Sequence, residues 1–200
     1  QTLEDFSHFE DAINDEKSLV MFDRVIDSIP CIKVTTNDHT AISEATQGLI
    51  KSNRKNIILL SAINNLNVGK QRTKGYQKAM ADAGLTPIVL TSDRDGVANT
   101  LKEYIKNNPL DAVIALDTDA SFASYKVARD LDKKIPQDMA VIGYVSERMA
   151  PYLAPELTTI NQHSYTIGNA AARMIVESIR SKSKEMQQVV VSSTLSVRGS

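Results

Sequence analysis

Short apolar runs bounded by polar turns recur along the chain: LVMF (19–22), CIKVTT (31–36), NIILLSA (56–62), PIVL (87–90), AVIALD (112–117) and AVIGYV (140–145). Runs of this length, rich in Val and Ile and apolar at successive positions, are what parallel strands buried on both faces look like. Between them lie segments with helical spacing, at about 40–52, 68–83, 96–107 and 119–133. Gly84 has the place of a residue just past a helix end, and Pro109 and Pro136 each follow a helical segment. Strand alternating with helix predicts an α/β fold with parallel sheets covered on both faces.

The rhythm breaks after AVIGYV. The chain runs through Ala150, Pro151 and Pro155, makes a short strand-like segment LTTI, passes the amides Asn161 and Gln162, and enters a long helical pattern. There Ser164 takes the place of an N-cap, and Ile167, Ala171, Met174, Ile175 and Ile179 recur at helical spacing. The closing stretch VVVSSTLSVRGS alternates like one more strand. The insertion is explained economically if two sheets share the chain and LTTINQ carries it from one back to the other.

At 200 residues the chain is one large α/β domain or two small ones, and 42% hydrophobic with 24% charged residues describes a folded chain. A formal net charge of −1, with no long Lys/Arg run, excludes the basic footprint that DNA binding by this chain alone would need. The single Cys31, inside the apolar run CIKV, reads as a buried structural thiol. No apolar segment approaches the roughly 20 residues that span a bilayer, so no membrane partner is expected. The first residues, QTLEDFSHFE, lack the basic and apolar parts of a signal peptide, which points to a cytoplasmic setting. A start without Met reads as an excised piece or a processed mature form.

Ligands of open α/β sheets sit beyond the carboxyl ends of strands, so the positions after each strand are the candidates. They include Asn64 and Asn65, Asp117 and Asp119, and Ser146 and Glu147. Asp119 also suits a helix cap, and Arg72, early in its helix, has a solvated surface arginine as its default reading. NNLNVGKQ imitates a phosphate loop, but Asn64 replaces the first glycine and Gln71 the Ser or Thr that ligates Mg²⁺. His8, His39 and His163 have no metal-site spacing, and no nucleophile elbow or opposed carboxylate pair is present. Neither catalysis, nor a metal, nor a cofactor is expected. With no Trp, any stacking on a sugar ring falls to Tyr76, Phe122 or Tyr144, for each of which core packing is the competing reading.

In order, LVMFDR, ATQGLIKSNRKNIILLSA, RTKGYQKAMADAGL, DAVIALDTDAS, IPQDMAVIGY, PELTTINQ and LSVRGS resemble successive signature blocks of the LacI/GalR-type bacterial transcription regulators, over essentially the whole chain. The resemblance implies two Rossmann-like lobes with parallel sheets, of the type I periplasmic-binding-protein kind, joined by three crossovers. The first lobe would comprise residues 1–53 and 163–191, and the second residues 54–162 and 192–200. It also implies truncation: the helix-turn-helix headpiece, the hinge and the opening β-α units of the first lobe do not precede Gln1, so that lobe would be incomplete.

Arg72 matches the arginine of the family's R-x-x-G-[YW] block, which bonds effector hydroxyls or carboxylate, so the resemblance reverses the surface reading. Thr118 and Asp119 match an Asn-Asp pair with Thr in place of Asn, and Gln162 matches the crossover amide. With Asn64, Tyr144 and Ser146 these make the expected effector site. Two departures stand out: Val145 and Ser146 follow Tyr144 where the family often has Asp, and TTND stands where Asp-Asn is usual. The implied function is sensing of a small molecule, a sugar or related metabolite, by a homodimer whose missing headpieces bind operator DNA. A periplasmic solute carrier is the alternative, and an α/β enzyme acting on a nucleotide or sugar phosphate is a third reading.

Overall fold

A computed structural model describes residues 6–183 and 185–200. The elements are α1 (Ser7–Asn14), β1 (Val20–Phe22), β2 (Ile32–Thr36), α2 (Asp38–Lys51), β3 (Ile57–Ser61), α3 (Asn67–Asp82), β4 (Ile88–Thr91), α4 (Val97–Asn107), β5 (Ala112–Ala115), α5 (Thr118–Asp130), β6 (Ala140–Gly143), a 3-10 turn (Ala150–Tyr152), β7 (Thr158–Asn161), α6 (Ser164–Ser181), β8 (Gln188–Val191) and β9 (Thr194–Ser196). The expected alternation of strand and helix is therefore present. The chain forms two compact units, residues 1–37 with 162–192 and residues 38–161 with 193–200.

The smaller unit is a three-stranded parallel sheet in the order β1-β2-β8. Successive residues alternate between its faces. Ile32 and Val34 pack on Ile167, Ala171 and Met174 of α6. Met21 and Cys31 pack with Val25, Ile29 and the α1 residues Phe9 and Ile13. Cys31 is buried as a free thiol, as its apolar setting predicts. Two expectations for α6 need correction. Ser164 is its first helical residue rather than its cap; the cap position belongs to His163, in the left-handed region at φ 54°. Ile179 is 62% exposed, and the last inward position is taken by Ser178, whose hydroxyl bonds Ser18 and the Ser183 carbonyl.

The larger unit has six strands in the order β4-β3-β5-β6-β7-β9, all parallel except β9, which runs antiparallel to β7. Here the continuous apolar runs divide by parity. Ile57, Leu59, Ala112, Ile114, Ala140 and Ile142 face α2 and α3, while Ile58, Leu60, Val113, Ala115 and Val141 face α4 and α5. A strand buried on both faces has no polar face to show, which is why these runs carry no alternation in sequence.

Helix α2 is the main departure from the expected boundaries. Residues 38–53, expected in the first lobe, lie in the larger unit, because Ala41, Ile42, Ala45 and Leu49 share a core with Ile57, Leu59, Tyr76 and Met80. The chain changes unit at 37/38, 161/162 and 192/193. The last of these splits VVVSSTLSVRGS, read as one strand, into β8 of the smaller sheet and β9 of the larger.

Candidate functional site

In the larger sheet β3 leads to the edge strand β4 on one side, after which the chain crosses to β5 on the other side of β3. Strand order therefore reverses between β3 and β5, with α3 and α5 leaving on opposite faces. This is the arrangement that opens a crevice beyond the carboxyl ends of two neighbouring strands. Asp117 ties the end of β3 to the start of α5 there. One carboxylate oxygen accepts from Ala120 N–H at 2.8 Å and caps α5, and the other accepts from Ala62 N–H, also at 2.8 Å, just after β3. The capping role considered for Asp119 thus belongs to Asp117; Asp119 pairs with Arg94 at 3.1 Å with both side chains well exposed. Gly69, the residue that imitated a phosphate loop, lies against the Ile63 carbonyl, where any Cβ would collide with backbone.

Arg72, one turn into α3, is 3% exposed and so is not the solvated surface arginine of the default reading. Its Nε donates to Asp38 Oδ1 at 2.7 Å, and one η nitrogen donates to the Leu116 carbonyl, beyond the end of β5, at 2.7 Å. The guanidinium carbon stands 3.7 Å above the centre of the Tyr144 ring, a cation–π stack in a desolvated setting. Tyr144 follows β6 and is 5% exposed. Burial pushes its phenol well above the ordinary range; the Arg72 charge opposes the shift and the Asp38 charge adds to it. Its hydroxyl has no hydrogen-bond partner among the described residues. Thr118, at the start of α5, donates its hydroxyl to the Tyr144 carbonyl at 3.1 Å.

The sheet's carboxyl edge thus brings Arg72, Tyr144 and Thr118 together. Asn64 is nearby in sequence to α3 and accepts from Thr73 Oγ1 at 3.0 Å. Ser146 is exposed, and its carbonyl accepts from the Met149 and Ala150 amides. Gln162 belongs to the smaller unit. Glu147 is bound to Arg198 and accepts from Thr159 Oγ1 at 2.8 Å, so it ties β7 to the chain's end. Tyr76 is structural: its hydroxyl accepts from Ile88 N–H at 2.9 Å and donates to the Ile57 carbonyl at 2.8 Å, and burial raises its pKa to about 12 against the opposing Ile88 bond.

Sequence reasoning missed Asp38. It is the second acidic-or-amide position of TTND, noted only as a departure, and the structure buries it to 6% exposure against Arg72. A buried arginine needs a counter-charge, and an Asp at the first residue of a helix is where the helix dipole favours one. Among the described residues no group of three or more His, Cys, Asp or Glu side chains is placed to hold a metal ion, and no helix is long and apolar enough to cross a membrane.

A family model for the periplasmic binding protein-like domain matches residues 46–200. The HTH-type transcriptional regulator CelR of Thermobifida fusca is 30% identical over 164 residues, 78% of this chain and 48% of that protein, so the chain spans about half the length of such relatives. A LacI family regulator from Enterococcus faecium, solved with bound ribose, superposes with a TM-score of 0.86 at 21% identity, over 95% of this chain and 72% of that one. A CelR–cellobiose complex does so at 0.79 and 24%, over 90% and 57%. These relatives are named as transcription regulators, which does not favour the solute-carrier or the enzyme reading of the sequence. The chain belongs to the periplasmic binding protein-like domain family, in the form that LacI-type transcription regulators carry as their effector-binding region.

Proposed function

We propose that this chain is the effector-sensing and dimerising region of a cytoplasmic LacI-type regulator, in which a sugar or related small molecule controls operator binding by a helix-turn-helix headpiece. The observation that carries the reading is the buried Arg72 stacked on Tyr144 where the strand order of the larger sheet reverses. Ribose and cellobiose bound to solved neighbours support a sugar as the effector class. Thr118, Asp119, Asn64 and Ser146 would add polar contacts from the same edge of the larger unit. Such a ligand acts on DNA binding only through differential affinity for two states of the protein.

The test is operator-fragment binding by the intact gene product with and without a sugar panel, at low and high salt. Tight, sequence-dependent binding that weakens steeply with salt and changes with one sugar is the expected result. Arg72→Ala should abolish the sugar response and leave operator binding in place. Unchanged effector affinity in that variant would remove Arg72 from the site.

A further inference from the structure

Asp38 has no place in that reading as it stands. Its carboxylate and the Arg72 guanidinium are both almost wholly withdrawn from solvent and joined at 2.7 Å. Backbone packing holds the pair together: Gly75 of α3 lies directly against the carbonyl of His39, the residue after Asp38, with no room for a Cβ. The Leu116 carbonyl and the Tyr144 ring fix the guanidinium from two further sides. The Tyr144 ring that stacks on the guanidinium carries a buried hydroxyl without a hydrogen-bond partner among the described residues.

We propose that Asp38 sets the ligand class of this site: by cancelling the charge of Arg72, it makes the site select uncharged polyhydroxyl molecules and reject carboxylates and phosphates. The proposal rests on the reading of Arg72 as an effector-contacting residue. A lone buried guanidinium is a strong receptor for a carboxylate or phosphate, which it binds through two parallel N–H bonds. Here an incoming anion meets Asp38 beside its cation, in a setting where water and salt screen the repulsion poorly. A hydroxyl group has no such conflict. It can donate to the Asp38 carboxylate while its lone pairs accept from the guanidinium or from Tyr144, and only a group that is both donor and acceptor satisfies all three.

The experiment is calorimetric titration of the intact protein carrying this chain with glucose, ribose and cellobiose, and with the anions gluconate and glucose 6-phosphate. Wild type should show no saturable binding of either anion. Asp38→Asn keeps the size and polarity of the side chain and removes its charge, so it should bind at least one anion tenfold or more tightly than wild type. The gain should vanish in the double variant Asp38→Asn/Arg72→Met. Asp38→Ser serves if circular dichroism shows that the Asn variant is unfolded. Anion binding by wild type that depends on Arg72 overturns the proposal and leaves the effector site standing, and folded Asp38 variants with no gain overturn it equally. A neutral sugar bound with an affinity indifferent to Arg72→Met counts instead against the effector site itself, which separates the two failures.

Discussion

Two aspartates two positions apart, Asp117 and Asp119, show what single residues reveal and conceal. Both precede a helical pattern, and either could cap it; the choice depends on where β5 ends and on a second amide, that of Ala62, waiting 55 residues upstream. No local pattern contains that information. Asp117→Ala removes the acceptor of two backbone N–H groups and should lower stability by about 1–2 kcal/mol, as loss of a helix cap does. Asp119→Ala, which breaks only an exposed pair with Arg94, should stay within about 0.5 kcal/mol. Urea midpoints of the two variants decide between them, and equal losses would contradict the assignment of the cap. Arg72 has the same lesson in reverse: composition favours an exposed arginine, and what buries it is Asp38, on another helix.

At the level of elements, strands and helices were legible because their apolar runs and Gly/Pro stops are local. Gly84 is an example: at φ +68° it ends α3, its N–H bonds the Ala81 carbonyl and the next N–H, of Leu85, bonds that of Met80. Which core an amphipathic helix enters is not local. The apolar face of α2 reads the same whether it packs on the first sheet or the second, and this is why residues 38–53 were expected in the wrong unit. The signature block RTKGY records that packing as much as it records a ligand. Gly75 lets α3 approach the His39 carbonyl of α2, and Tyr76 bolts α3 to β3 and β4. Gly75→Ala should therefore destabilise by about 1–3 kcal/mol, since both colliding groups are backbone and cannot turn aside. Gly48→Ala, in α2 with nothing near the added methyl, should stabilise by up to about 1 kcal/mol through helix propensity. Thermal or urea unfolding of the pair tests the contrast; a stabilising Gly75→Ala would mean that the α2–α3 seam is looser than the structure has it.

Across the whole chain, the last eight residues close the larger unit with a network of side chains. Arg198 binds Glu147, Thr159 Oγ1 at 2.7 Å and the Leu157 carbonyl at 2.9 Å, and Ser200 bridges Thr158 N–H to the Val141 carbonyl. The terminal LSVRGS block was thus recognisable in sequence as a family mark, but its physical role as a clasp over β6 and β7 became visible only in three dimensions. Partial burial opposes ionisation of Glu147, yet hydrogen bonds from Thr159 and Arg198 and the Arg198 charge outweigh it and hold the carboxyl below its ordinary range. Asp111 behaves likewise: burial opposes, and the Asn56 and Lys55 amides with the Arg54 charge prevail. A carboxyl with a depressed folded pKa adds stability that is fully present above its unfolded pKa and is lost as pH falls through the folded one. The larger unit should accordingly hold its stability from neutral pH down to the ordinary carboxylate range and lose it below. Glu147→Gln should lower stability at pH 7 and flatten the acid branch, so that variant and wild type converge as the pH drops. Urea unfolding followed from pH 7 to pH 3 measures both; a constant gap between them across that range would show that the charge of Glu147 contributes nothing to the clasp.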